Sequence, residues 1–287
     1  MICPSNNKIL ISYYDSLSSM ANIQVPRLNM RLYRRTCLRV GESEEDKQDW
    51  YGCSGVTEVK RIVELKGWPE GVDKGRELMD TIKLPKLPSI RRKLRWGTTG
   101  HTLNLSRLYS GQADSAWLGT HKNLTSKRAK RGRTYINLII DISVNCNVDS
   151  EKYFWRGALG CILAKTLQDA GYSVRILVCF SVGDSVLNCK EPGSLNHTII
   201  LNVKDYGDII EYNKFFAITA LAGAARYYFF KAILSLDTKI DDGLGSADPI
   251  NRDTLDYFLD KNTLLIVENI WSKKAALKKA KNLIESI

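Results

Sequence analysis

The sequence predicts an α/β protein with a mostly parallel sheet, on three observations. An apolar strand, Tyr135-Ile-Asn-Leu-Ile-Ile140, a helix-patterned stretch and a second strand, Ser173-Val-Arg-Ile-Leu-Val-Cys-Phe180, fit within 46 residues. That spacing holds one crossover, which joins parallel strands with a right-handed connection. A later strand, Thr263-Leu-Leu-Ile-Val267, followed by a helix over 273–286, repeats the alternation. With 287 residues and 44% aliphatic and aromatic content, the chain can build one α/β domain of about 150 residues and a smaller region before it.

Residues 1–30 are polar and mixed, with Ile9-Leu-Ile11 a short apolar piece, and read as an arm or a loosely packed start. Arg27 to Arg39 sets five arginines among Leu28, Met30, Leu32, Tyr33 and Leu38. This fits an edge strand or helix with a solvated face, or a phosphate-binding surface. Glu42 to Asp49 offsets it, Trp50 to Gly55 reads as a turn, and helices are expected over 58–65 and 72–82. Trp68-Pro69 is a packing anchor with a helix-start proline. Pro85 and Pro88 mark a linker, followed by the densest basic-aromatic run, Ile90-Arg-Arg-Lys-Leu-Arg-Trp96. Thr102 to Leu105 is extended and Ser106 caps a short helix ending at Gly111. Lys122 to Arg133 holds six basic residues in twelve, and with Gly119, Thr120, Asn123, Thr125 and Ser126 it reads as a flexible loop entering the first strand.

Asp149 or Ser150 suits the N-cap of a helix over 151–170, closed by Gly171. Trp155, Leu159, Ile162, Leu163 and Leu167 form its apolar stripe, while Lys152, Arg156, Lys165 and Asp169 fall largely elsewhere. Another strand, His197 to Val203, and a long helix over 213–236 with an alanine-rich face come next. That helix region is the most apolar of the chain, but Lys214, Arg226 and Lys231 make it a buried helix and not a bilayer span. The segment 237–256 is an acidic surface loop, a short helix is expected over 252–259, and Ser272 caps the closing helix.

Ligands of parallel sheets sit beyond the carboxyl ends of strands, which is where the polar turn Asp141-Ile-Ser-Val-Asn145 lies. An Asp-x-Ser-x-Asn turn after an apolar first strand resembles the Asp-x-Ser-x-Ser signature of von Willebrand factor A domains. The resemblance implies a three-layer, Rossmann-like fold at 134–287 after a basic, α-rich or irregular region at 1–133, with the second and third strands as an antiparallel edge pair. It also implies a metal-ion-dependent adhesion site for Mg²⁺ or Mn²⁺, completed by an acidic group on a protein partner. Asp141 would be the main ligand, with Ser143 and, in place of the second Ser, Asn145. Asp205 falls near the position of the family's second-loop ligand, normally a Thr, and Glu268 at that of its third-loop Asp. Hard cations take oxygen ligands, and alternate residues of an extended turn point the same way. The same residue types also cap helices and turns. Gly67-Trp-Pro-Glu-Gly71, Arg95-Trp-Gly97, Leu103-Asn-Leu-Ser-Arg-Leu-Tyr-Ser-Gly111 and Phe154-Trp-Arg-Gly-Ala158 are similar to a family of phage and plasmid proteins that joins a basic N-terminal half to a von Willebrand A-like half.

Charge divides the chain. Residues 1–133 hold 25 Lys/Arg against 13 Asp/Glu, whereas 134–287 hold 17 against 18. Arg91, Arg92, Lys93 and Arg95, and the loop residues Lys127, Arg128, Lys130, Arg131 and Arg133, are therefore candidates for a nucleic-acid backbone, with Trp96, Trp117 or Tyr109 as stacking faces. No helix-turn-helix, RNP or zinc-finger pattern accompanies them. Seven cysteines without a CxxC pair point to a reducing cytoplasm, here that of a host cell, with virion association as the other setting. Three scattered histidines, none near a cysteine, provide no zinc pattern, and no nucleophile elbow, Walker or Rossmann glycine motif occurs. The expectation is a non-enzymatic module that binds a protein partner, with nucleic-acid binding by the N-terminal half as the alternative.

Overall fold

The computed structural model describes residues 2–3, 9–81, 92–98, 102–122, 135–145, 148–169, 172–182, 196–237, 240, 244, 247, 250, 263–267 and 270–285. Among these, two sheets form a mixed α/β structure. The larger sheet runs in the order β1 (Ile2–Cys3), β2 (Ile9–Tyr14), β8 (Asn196–Lys204), β7 (Ser173–Val182), β6 (Tyr135–Asp141) and β9 (Thr263–Val267). β6 pairs in parallel with β7 and β9, β8 runs antiparallel to β7, and β2 runs parallel to β8. From Ile136 to Asp141 β6 is buried at every residue, as a strand apolar on both faces must be.

Apolar residues alternate between two clusters. Ile136, Leu138, Ile140, Val178, Phe180, Ile199 and Leu201 join the large core, whereas Ile11, Ile139, Leu177, Cys179 and Ile200 form a smaller cluster on the other face with Ile250. The large core is closed by α7 (Ser150–Asp169), α8 (Tyr212–Ala220), α9 (Ala222–Ala224) and α10 (Phe230–Leu234), a π-helical stretch Ala225–Phe229 joining the last two, and by α11 (Lys273–Glu285). Asp149 caps α7 by accepting Lys152 N at 2.7 Å, and Ser272 caps α11 by accepting Ala275 N at 3.2 Å.

α7 does not show one apolar stripe and one solvated side. Most of its residues are buried, Arg156 included, because it lies between the sheet and α8. Its glycines permit that. A Cβ on Gly160 would stand 2.3 Å from Ile140 Cδ1, and one on Gly157 2.3 Å from the carbonyl oxygen of Thr219. The helix expected as one piece over 213–236 breaks at Leu221, which adopts extended φ/ψ of −85° and 117°. Thr219 meets Gly157 before the break, and after it Gly223 lies where a Cβ would be 2.4 Å from Val59 Cγ2. Close packing against two neighbours overrides an uninterrupted helical pattern.

The N-terminal residues are not a loose arm, and the boundary at 133 does not divide the core. β2 extends the large sheet past β8, so the β7–β8 pair is interior and not its edge. Met20 of α1 (Leu17–Ala21) is fully buried, and Arg27–Thr36 forms a 3₁₀ turn and α2 (Met30–Thr36), not a strand. Asn29 is buried between them: its Nδ2 donates to the carbonyls of Leu234 and Leu236 at 3.0 and 3.1 Å, and its Oδ1 accepts Ile240 N at 3.0 Å. Tyr51, at the end of α3 (Glu44–Tyr51), donates its hydroxyl to the carbonyl of Cys37 at 2.5 Å. α4 (Val56–Lys60), a π-helical continuation Arg61–Lys66 and α5 (Pro69–Thr81) complete this layer, in place of the expected 58–65 and 72–82.

Between α5 and β6 lies the second sheet, in the order β3 (Arg92–Gly97), β5 (Trp117–Lys122), β4 (Thr102–Leu103), with α6 (Leu105–Tyr109) in the connection. The cap of α6 is Asn104, whose Oδ1 accepts Arg107 N at 3.2 Å, not Ser106. Gly119 and Thr120, expected in a loop, are in β5, where they pair with Arg95 and Leu94 of β3, while β4 pairs with Trp117 and Leu118 of the same strand. The short helix expected at 252–259 lies outside the described residues.

Gly157→Ala is expected to lower stability by about 1–3 kcal/mol, since the added methyl meets backbone and not a movable side chain. Gly207→Ala, where nothing lies within 4 Å of the new Cβ, should stay within about 0.5 kcal/mol of the parent. Urea denaturation midpoints of the two variants measure the difference.

Candidate functional site

The turn after β6 brings Asp141, Ser143 and Asn145 together and then engages each of them. Asp141 Oδ1 accepts Ser143 N at 2.8 Å, an Asx-turn, while Ser143 Oγ accepts Ser181 N at 2.7 Å. Asn145, exposed, accepts Ala247 N on Oδ1 at 3.0 Å. Asp141 is only 4% exposed and Ser143 8%. Below them Arg156, at 1% exposure, donates from Nη1 to the carbonyls of Asp141 and Ser143 at 2.7 and 2.8 Å. Its guanidinium stacks 4.5 Å from the ring centroid of Trp271.

These residues fit a resident divalent cation poorly: Ser143 Oγ and Asp141 Oδ1 each already accept a backbone N–H, and the buried guanidinium of Arg156 beneath the turn has the same sign as the ion. Asp205 is not brought to this turn. Lys204 pairs with Ile176 whereas Asp141 pairs with Cys179, so Asp205 lies toward the opposite end of the sheet, roughly 10 Å or more along the strands. There its Oδ1 accepts Tyr206 N at 2.8 Å and sits 4.0 Å from Arg175 Nε. Glu268 lies outside the described residues. Among the described residues, no group of three or more His, Cys, Asp or Glu is arranged to hold a metal ion.

The sequence did not single out the polar band on the second face of the sheet. Arg175 Nη2 donates to Tyr13 Oη at 2.7 Å, Tyr206 Oη donates to Asn137 Oδ1 at 2.6 Å, and Tyr206 meets Tyr135 edge to face at 4.9 Å. Alternation within β6 and β7 places Asn137 and Arg175 there, a pattern visible once those strands are known. At the amino end of the sheet Lys204, half of a mixed-charge cleft with Asp208, Glu211 and Lys214, donates to the carbonyls of Val174 and Asp205, both at 2.7 Å.

The basic candidates occupy a different place. Arg92, Lys93 and Arg95 are in β3, where the register sets Arg92 opposite Lys122 and Lys93 opposite His121. Arg91, Lys127, Arg128, Lys130, Arg131 and Arg133 lie outside the described residues. Residues 83–133 hold 13 Lys/Arg and a single acidic residue, Asp114, a net of +12, whereas residues 1–82 balance 12 against 12. The cationic character thus belongs to the inserted sheet and its flanks, not to the whole N-terminal half. A charge count over shorter windows would have found it. Arg107, which the sequence reading passed over, stacks 4.4 Å from the Trp96 ring centroid. Trp96 is 37% exposed and Tyr109 85%.

Buried titratable groups elsewhere are structural. Burial pushes the Cys37 thiol up to about 12 and raises those of Cys161 and Cys179, so they stay protonated near neutrality. His197 is fully buried, with Nε2 3.0 Å from Ser12 Oγ, and burial lowers its pKa to about 4.

Two outcomes are expected. Because the folded-state pKa of His197 lies below its unfolded value near 6.5, its contribution to stability is complete above about pH 6.5 and is lost as pH falls toward 4, by up to about 3 kcal/mol. Denaturation of the wild type and of His197→Gln at pH 7 and pH 4.5 isolates that loss, which the variant should lack. Millimolar Mg²⁺ should shift the melting temperatures of the wild type and of Asp141→Ala equally; an upward shift confined to the wild type would restore the ion site.

Among the described residues no helix is long and apolar enough to cross a membrane. No curated protein and no solved structure matches the chain. A family model described as a domain of unknown function, DUF7192, matches residues 3–287. That span covers the α/β core together with the inserted basic sheet, so the chain belongs to the DUF7192 family.

Proposed function

We propose that the protein binds nucleic acid through the segment 83–133, with the α/β core as its carrier. The observation that carries this reading is the segregation of charge: the segment has a net of +12 and the rest of the chain −1. In the β3–β5 register Arg92 stands opposite Lys122, a like-charge pair that is unfavourable by itself and favours a polyanionic partner. Phosphates supply that counter-charge, and the release of their condensed ions supplies the affinity.

A second reading, a von Willebrand A-like module that binds a protein partner, is supported by strand direction. β7 and β8 are antiparallel while β6 pairs in parallel with β7 and β9, as the resemblance implies for a second and third strand beside a parallel first, and α7 and α11 both close the large core. β1 and β2 extend the sheet beyond that pattern. In this reading the module works without a Mg²⁺ or Mn²⁺ ion at the Asp141 turn. We place both readings in a phage- or plasmid-encoded protein, the setting implied by the resemblance at Gly67–Gly71 and Phe154–Ala158.

Affinity for DNA or RNA is expected to fall by orders of magnitude between about 50 and 200 mM salt. Neutralising Lys127, Arg128, Lys130, Arg131 and Arg133 together to Gln should reduce the slope of log K against log salt by roughly three to five. Fluorescence anisotropy with labelled oligonucleotides measures both, and a flat salt profile overturns the reading. Capture of a protein partner that persists in the five-site variant at high salt supports the second reading; loss of all capture there removes it.

A further inference from the structure

Resting on the nucleic-acid reading, we infer that the ligand is a single strand, its bases stacked on Tyr109 and on Trp96 backed by Arg107. The surface of α6 is unusual for a small polar unit. Leu105 is 55% exposed, Leu108 39% and Tyr109 85%, with Trp96 at 37% nearby through Arg107. Five residues of helix presenting two leucines and a tyrosine to water lie within the most cationic stretch of the chain. A duplex offers such rings nothing, because its bases are already stacked on one another. A single strand exposes base faces, and stacking on an aromatic side chain contributes about 1–3 kcal/mol per base whatever the sequence.

The platform is held rigid. Asn104 N donates to the carbonyl of Ala116 at 2.8 Å, Gln112 N and Ser110 Oγ donate to the carbonyl of Arg107 at 2.9 and 3.0 Å, and Arg107 Nη1 donates to that of Ser115 at 3.3 Å. Ala116 is fully buried beneath the turn. Arg107 therefore lies on the Trp96 indole with its own position fixed, a cation against a π-face that leaves part of the ring accessible. The geometry also argues against groove reading. A five-residue helix is only about 7.5 Å long, too short to lie along a major groove and contact successive base pairs. With Arg92, Lys93 and Arg95 at positions of β3 and rings to receive bases, the insertion combines the cationic and aromatic residues that single-strand binding uses.

The test uses the full chain and anisotropy with labelled oligo(dT), oligo(U) and a hairpin duplex at one salt concentration. Binding to either single strand should be at least tenfold tighter than to the duplex, the two single-strand probes showing whether DNA or RNA is preferred. Tyr109→Ala, at a side chain too exposed to support the fold, should weaken single-strand binding by roughly fivefold to a hundredfold while leaving the salt slope unchanged. Trp96→Ala should do the same, and Trp96→Phe should retain most of the affinity. Equal or tighter duplex binding, or unchanged single-strand affinity in Tyr109→Ala, overturns the inference while salt-dependent binding keeps the charge reading intact. Absence of binding to all three probes at low salt removes both.

Discussion

A guanidinium with no access to water must find its hydrogen bonds inside the protein, because burying it without them costs several kcal/mol. Arg156 finds two of them in the carbonyls of Asp141 and Ser143, at the end of β6. With the turn's backbone drawn toward α7 in this way, its side chains take the bonds that remain, Asp141 to Ser143 N and Ser143 to Ser181 N. Trp271, just before α11, covers the guanidinium. The place where open α/β sheets usually receive ligands is here a joint that ties β6, β7, α7 and the start of α11 into one body. A second buried arginine does similar work in the N-terminal layer. Arg226 donates to the carbonyls of Trp50 and Val148 and stacks 4.3 Å from the Trp50 ring, with Arg39 4.5 Å from the same ring.

Close approach is the second organising constraint. α7 contacts both the sheet and α8 because glycine stands at each contact, Gly160 against Ile140 and Gly157 against Thr219. The N-terminal helices then close the same core through Met20, Tyr51, Val59 and the buried amide of Asn29. The result is a nearly neutral body that includes the first 82 residues, with the excess positive charge in the segment 83–133, which contains the inserted sheet and its flanks.

Local pattern carried much of this architecture. Tyr135–Asp141 and Thr263–Val267 are apolar runs of strand length, and 150–169 and 273–285 have the caps and spacing of helices, so neighbours only had to accept what the backbone already preferred. The interior burial of Cys161 and Cys179 followed from their position within those elements. The candidate site was half legible. Its three polar residues share a turn as the spacing implied, yet whether Asp141 faces an ion or a backbone amide depends on Arg156, fifteen residues away and one helix over.

The sequence by itself determined the succession of β6, α7 and β7, the later β9 and α11, the polar turn after β6 and the excess of positive charge before it, because periodicity, capping residues and charge are properties of neighbouring positions. Tertiary structure alone decided that Ile9–Tyr14 joins the sheet beside β8, that the helix from Tyr212 breaks at Leu221, that Arg156 is buried, and that Asp205 stands at the far end from Asp141. Each of those outcomes is set by contacts between segments tens to hundreds of residues apart, where packing and hydrogen-bond satisfaction outweigh the preference of any short stretch.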